Sequence, residues 1–143
     1  IGVTQTPEDK LRRLPDKAWR MPNTLVMGYW GRIFCGGKEY RINWKADELQ
    51  HSDRVGFLLA DTGDIILFVN GAVQAWVDGA ATPESLQGDW YAVLDVFGAT
   101  TCVELDPAAQ PPGKPWERPA AAHNWSPPES PTSSAGSHLS FLL

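Results

Sequence analysis

The run Ile65-Ile66-Leu67-Phe68-Val69-Asn70-Gly71 restricts the fold of this chain more than any other segment. Five consecutive apolar residues rich in β-formers suit a strand covered on both faces. Asn and Gly both tolerate positive φ, so the chain is expected to reverse at Asn70-Gly71 in a tight hairpin. Val73 to Val77 then pairs back. Upstream, Arg54 to Ala60 places Val55, Phe57 and Leu59 on one face, and Asp61-Thr62-Gly63-Asp64 turns into Ile65. The segment predicts a three-stranded meander.

The same pattern recurs on both sides of it. Thr24 to Met27 and Arg32 to Cys35 read as short strands separated by a turn at Gly28–Gly31. Gly36-Gly37 turns the chain into Glu39 to Trp44. Tyr91 to Phe97 reads as a longer apolar strand, Gly98-Ala99 as its turn, and Thr100 to Leu105 as the return. One helical turn fits Ala46 to Leu49, and no window sustains a 3.6-residue apolar period. Many short strands with regular turns predict an all-β fold, an antiparallel β-sandwich.

Composition changes after Asp106. Eight of the twelve prolines lie from Pro107 onward, interspersed with Ala and Ser. Such a segment buries too little apolar surface to offset its ordering entropy. Residues 1–106 are therefore expected to form the domain, and 107–143 a disordered or polyproline-like tail. Trp116, Trp125 and Leu139–Leu143 are its apolar exceptions. They either dock or are stray residues in the tail.

With 12 basic and 17 acidic residues, the net charge of −5 disfavours binding to nucleic-acid phosphates. The run around Lys10, Arg12 and Arg13 reads as a solvated loop. No stretch of about 18 apolar residues is present to span a membrane, and residues 1–20 carry no signal-peptide pattern. Cys35 and Cys102 are too few for a four-ligand zinc site, and His51, His123 and His138 stand far apart. No metal or cofactor is expected. The two cysteines either form one disulfide or stay as free thiols; free thiols without a secretory signal point to an intracellular, cytoplasmic chain.

Catalytic constellations are sparse. Asp95 lies in an apolar stretch and reads as a structural carboxylate that accepts backbone donors; the alternative is an acid with a raised pKa, with Asp53 or Asp64 as its partner. Cys35 before Gly36-Gly37 reads as a turn-adjacent thiol. No nucleophile elbow, P-loop or dinucleotide fingerprint occurs, and the chain reads as no enzyme. Loop aromatics are the better candidates, because rigid aromatic anchors dominate recognition surfaces; the alternative is that such rings fold back over the end of the sandwich. Tyr29 and Trp30 sit in a Gly-flanked turn. Trp19 and Arg20 are placed to line the same rim, and Trp76 ends the meander as core or rim. These five are the candidate ligand-binding residues. Asn70 and Gly71 have a geometric role, and Trp90 and Tyr91 are assigned to the core.

His51-Ser52-Asp53-Arg54-Val55-Gly56, then Gly63-Asp64-Ile65-Ile66-Leu67-Phe68-Val69-Asn70-Gly71, then Trp90-Tyr91-Ala92-Val93-Leu94-Asp95-Val96-Phe97-Gly98 resemble successive blocks of the Neuralized homology repeat (NHR), a SPRY-like sandwich. Ile1-Gly2-Val3-Thr4 resembles a strand near the middle of that repeat, which implies that earlier strands are missing from this sequence. Two mild departures are Ser52 where the family has Gly and Phe97 where it has Tyr. The resemblance implies a module that recognises a protein or short peptide motif, as a substrate-recognition or adaptor segment of a ubiquitin-ligase-related protein. Some members are linked to phosphoinositide membranes, but this sequence offers no basic patch to support that. Two other readings stay open: a carbohydrate-binding sandwich, and a truncated fragment without independent function.

Overall fold

The computed structural model describes residues 1–11, 13–96, 100, 102–110, 112–113 and 116, together with the backbone of 139–142. It is all-β, with two antiparallel sheets and only one-turn 3-10 helices among the described residues. The chain divides into two compact units, one formed by 1–50 and 88–104, the other by 51–87 and 105–143.

The first unit holds a five-stranded sheet. Its strands are β1 (Gly2–Thr4), β2 (Thr24–Met27), β3 (Arg32–Cys35), β4 (Lys38–Arg41) and, after the excursion through the second unit, β8 (Tyr91–Val93). The spatial order is β4-β3-β2-β1-β8. β2 and β3 occupy the residues expected of them. All four residues of β2 are buried, as is Val3 on β1. Burying side chains of this size contributes roughly 1.5–3 kcal/mol each. The buried hydroxyls of Thr4 and Thr24 face each other across β1 and β2 at 2.8 Å, and Thr4 also accepts the Thr6 N–H at 3.1 Å. These polar groups are thereby satisfied inside the sheet.

β4 forms one sheet edge, and its sequence Lys-Glu-Tyr-Arg is charged and largely exposed. Such an edge disfavours pairing with a stray strand. The strand expected over Glu39–Trp44 ends at Arg41. Beyond it, the Ile42 N–H donates to the Gly31 carbonyl at 2.8 Å, and Trp44 turns inward to become buried.

The second unit holds β5 (Val55–Leu59), β6 (Ile65–Val69) and β7 (Ala72–Val77), the expected meander. Asn70 and Gly71 both take positive φ, +52° and +81°, so the hairpin forms as their chemistry requires. Ile65, Ile66, Leu67 and Phe68 are all buried, as expected for a strand covered on both faces. A bulge between Leu67 and Phe68 shifts the β6–β7 register.

Two of the three apolar spots in the Pro-rich segment dock within this unit. Trp116 meets Phe68 edge-on, with ring centroids 5.6 Å apart, and its indole N–H donates to the Pro112 carbonyl at 2.6 Å. The backbone of Leu139–Leu142 forms β9, antiparallel to β5, with Leu59 opposite Leu139 and Gly56 opposite Leu142. Trp125 lies outside the described residues, as do His123, His138 and the turn expected at Gly98-Ala99.

Three further expectations are corrected by the structure. The strand from Tyr91 stops at Val93 instead of reaching Phe97, because Asp95 turns its carboxylate to donors elsewhere in the first unit. Tyr91 is 42% exposed and not a core residue, since its strand is a sheet edge. The return strand over Thr100–Leu105 is not formed at its described residues, where Val103 and Leu105 are exposed.

Candidate functional site

Four of the five candidate residues come together in the first unit. A 3-10 turn over Ala18–Arg20 lays Trp19 against the sheet, where it stacks on Phe34 of β3 at 5.0 Å between centroids and 16° between planes. Tyr29 meets the same Phe34 edge-on at 6.1 Å. Both rings cover the buried residues Ala18, Met21 and Val26. The Arg20 guanidinium lies 5.1 Å from the Trp19 ring centre and pairs with Asp16 at 2.7 Å. The indole N–H of Trp19 is buried and finds no acceptor among the described residues.

Tyr29 and Trp30 are adjacent but take opposite roles. Gly28 precedes them at φ +113°, a conformation that glycine adopts without steric cost. Tyr29 folds inward, and its phenol donates to the Asp95 carboxylate. Burial, then this bond to a carboxylate, raises the phenol pKa well above the usual tyrosine range. Trp30 points outward and is 62% exposed. Its backbone is left-handed, with φ +51° and ψ 32°, an uncommon state for a bulky residue. The Lys17 ammonium sits 4.5 Å from its ring centre, a cation–π contact on one face.

Trp76 belongs to the second unit. It packs there with Val73 and Trp116 on Leu58, Ile66 and Phe68. Asp95, the carboxylate marked in the sequence, accepts the Ala18 N–H at 3.0 Å as well as the Tyr29 phenol. It is a structural brace for the turn that carries Trp19. Asp53 and Asp64 are engaged in the same way, with Asn70 Nδ2 at 2.8 Å and the Gly79 N–H at 2.8 Å. Among the described residues no group of three His, Cys, Asp or Glu is placed to hold a metal ion, and no helix is long and apolar enough to cross a membrane. Cys35 and Cys102 are thiols, not a disulfide.

Two antiparallel sheets, one of them holding the Asn70-Gly71 hairpin and the other an exposed aromatic on a braced turn, make this an all-β module. The chain belongs to the Neuralized family, whose model matches residues 1–106. Comparison with curated proteins and with solved structures gives no match.

The family blocks have a physical basis in this fold. Ser52 sits at φ +72°, which accounts for the glycine that the family pattern prefers there. Asn70 does more than turn the hairpin. Its side-chain oxygen accepts the Arg54 N–H at 2.9 Å while its amide donates to Asp53, so the first two blocks are locked to each other. Sequence reasoning passed over Phe34, the ring on which Trp19 and Tyr29 converge. Its place on β3, next to a Gly-flanked aromatic turn, was the available signal.

Proposed function

We propose that this chain is a protein-recognition module that binds a short peptide motif, with Trp30 as its exposed anchor and Trp19, Arg20 and Tyr29 as the wall behind it. On this reading it is the substrate-recognition or adaptor part of an intracellular ubiquitin-ligase-related protein, and it performs no catalysis itself. Family membership supports the recognition role. The observation that carries the site is Trp30: a large ring held 62% exposed, in a strained left-handed backbone, on a turn braced by Tyr29 and Asp95. Backbone strain at an exposed aromatic is a feature of recognition sites, where a preorganised anchor costs little ordering entropy on binding. Trp76 has no comparable support, being part of an apolar cluster in the other unit.

A peptide suits Trp30 better than a sugar. Family membership favours a peptide, and the Lys17 ammonium leaves a sugar only the other face of the ring to stack on. The test is selection from a display library of random linear peptides, run beside a glycan array, on the wild-type chain and on Trp30→Ala. Peptide capture that Trp30→Ala abolishes supports the reading. Glycan capture without peptide capture, or full peptide binding by Trp30→Ala, refutes the site.

A further inference from the structure

The segment joining β1 to β2 walls a cleft of about 530 Å³ in the first unit. Among the described residues its charged lining is Lys10, Arg13 and Arg20, with no carboxylate. In a chain of net charge −5 this is a local reversal of sign. Arg20 is partly neutralised by Asp16. Lys10 and Arg13 are exposed and enter no ion pair among the described residues. The acidic neighbours Glu8 and Asp9 share a 3-10 turn with Lys10 but do not line the cleft. Apolar surface lies between the cations: Leu11, Met21 and Leu14, the last 65% exposed.

The cleft is continuous with the aromatic cluster. Arg20 lines it and also covers the Trp19 ring, while Leu11 and Met21 line it and pack with Trp19 and Tyr29. We infer that the cleft takes the acidic part of the peptide whose anchor is held at Trp30, so that the partner is a linear segment mixing Asp or Glu with apolar side chains. This rests on the recognition reading and specifies its partner. Carboxylates of such a segment would meet Lys10 and Arg13, and its apolar side chains would cover Leu14. Clefts of a few hundred Å³ with an apolar floor and few convergent charges are the usual form of such sites. An anionic membrane surface is a poorer fit, because it calls for a denser run of cations than the two unpaired ones among the described residues of this cleft.

The experiment takes peptides selected on the full 143-residue chain from the random display library. Their affinities are measured by fluorescence anisotropy at low and high salt for wild type, Lys10→Glu/Arg13→Glu and Trp30→Ala. Both reversed side chains are exposed, so circular dichroism should match wild type. Enrichment of Asp and Glu in the selected peptides is expected. The double reversal should weaken binding by about tenfold or more and remove most of the salt dependence. Selected peptides without acidic enrichment, or with unchanged affinity for the double reversal, overturn the inference; if Trp30→Ala still weakens them, the recognition reading stands. Absence of any peptide capture sinks both. Phosphatidylserine vesicles bound through Lys10 and Arg13, with no acidic enrichment among peptides, overturn it in favour of a membrane.

Discussion

One carboxylate oxygen of Asp95 receives both the phenol of Tyr29, 66 positions earlier, and the backbone N–H of Ala18, 77 positions earlier. The turn carrying Trp19 and the turn carrying Trp30 are thus tied to the same atom. The Ala18 N–H also reaches the Tyr29 phenol oxygen at 3.2 Å, so Asp95→Ala removes the nearer of its two acceptors and should cost about 1 kcal/mol. Asp95→Asn keeps an acceptor and should cost less. Tyr29→Phe should cost about 1 kcal/mol, and the Asp95→Ala/Tyr29→Phe double variant should depart from the sum, because it alone strips the Ala18 N–H of both acceptors. Urea denaturation of the wild type and the four variants measures this.

Trp30→Gly should separate stability from binding. Releasing a left-handed non-glycine residue returns about 1 kcal/mol, offset by loss of the Lys17 contact, worth about 0.5–1 kcal/mol at an exposed site. The melting temperature should therefore hold or rise while peptide binding is lost. A clear fall in melting temperature would show that the ring serves the fold instead.

Two glycines with similar φ should respond differently to alanine. A Cβ on Gly71 meets nothing within 4 Å, so Gly71→Ala bears only the conformational penalty of about 1 kcal/mol. A Cβ on Gly63 would lie 2.2 Å from the Ala81 carbonyl oxygen. That backbone must move, and Gly63→Ala should cost about 3 kcal/mol or more. Equal losses on denaturation would contradict this.

Burial raises the Cys35 thiol from 9.0 to about 11, with Lys38 partly opposing. A folded pKa above the unfolded one means that the folded state holds the proton longer. The resulting stability is complete below about pH 9 and is lost as pH rises towards 11. Iodoacetamide at neutral pH should accordingly label the exposed Cys102 well before Cys35, as peptide mass mapping over time would reveal. Equal rates would rule out the burial argument.

Trp19→Phe should be nearly neutral, since the indole N–H it removes has no acceptor among the described residues and the stack on Phe34 survives. Trp19→Ala removes the stack and should cost about 3 kcal/mol. Thermal melts of the pair test the assignment.

What the sequence disclosed depended on how local its causes were. Ile65 to Gly71 carries its own strand pattern and its own turn residues, so β6 and the hairpin follow without further information. Thr24–Met27 and Arg32–Cys35 are bounded by glycines that act within a few positions. Tyr91 to Phe97 was misread because its end is set by Asp95, whose partners lie near residues 18 and 29. The split between Tyr29 and Trp30 was equally hidden. Both are aromatic residues in the same turn, and only the position of Asp95 decides which one goes inside. The cleft cations were legible as residues but not as neighbours, since Arg20 joins Lys10 and Arg13 only through the path of the segment between β1 and β2.

The placement of β8 beside β1 sets an order of events during folding. The meander β5–β6–β7 needs only short loops and can close within microseconds of hydrophobic contact. The pairing of Gly2 with Val93 must close a loop of almost the whole domain, and its entropic cost is met before any ladder bond repays it. In a chain emerging from the ribosome, the side of β1 that meets β8 therefore cannot reach this partner until some ninety residues have followed it. This is the interval in which a chaperone, or a wrong strand, would find it.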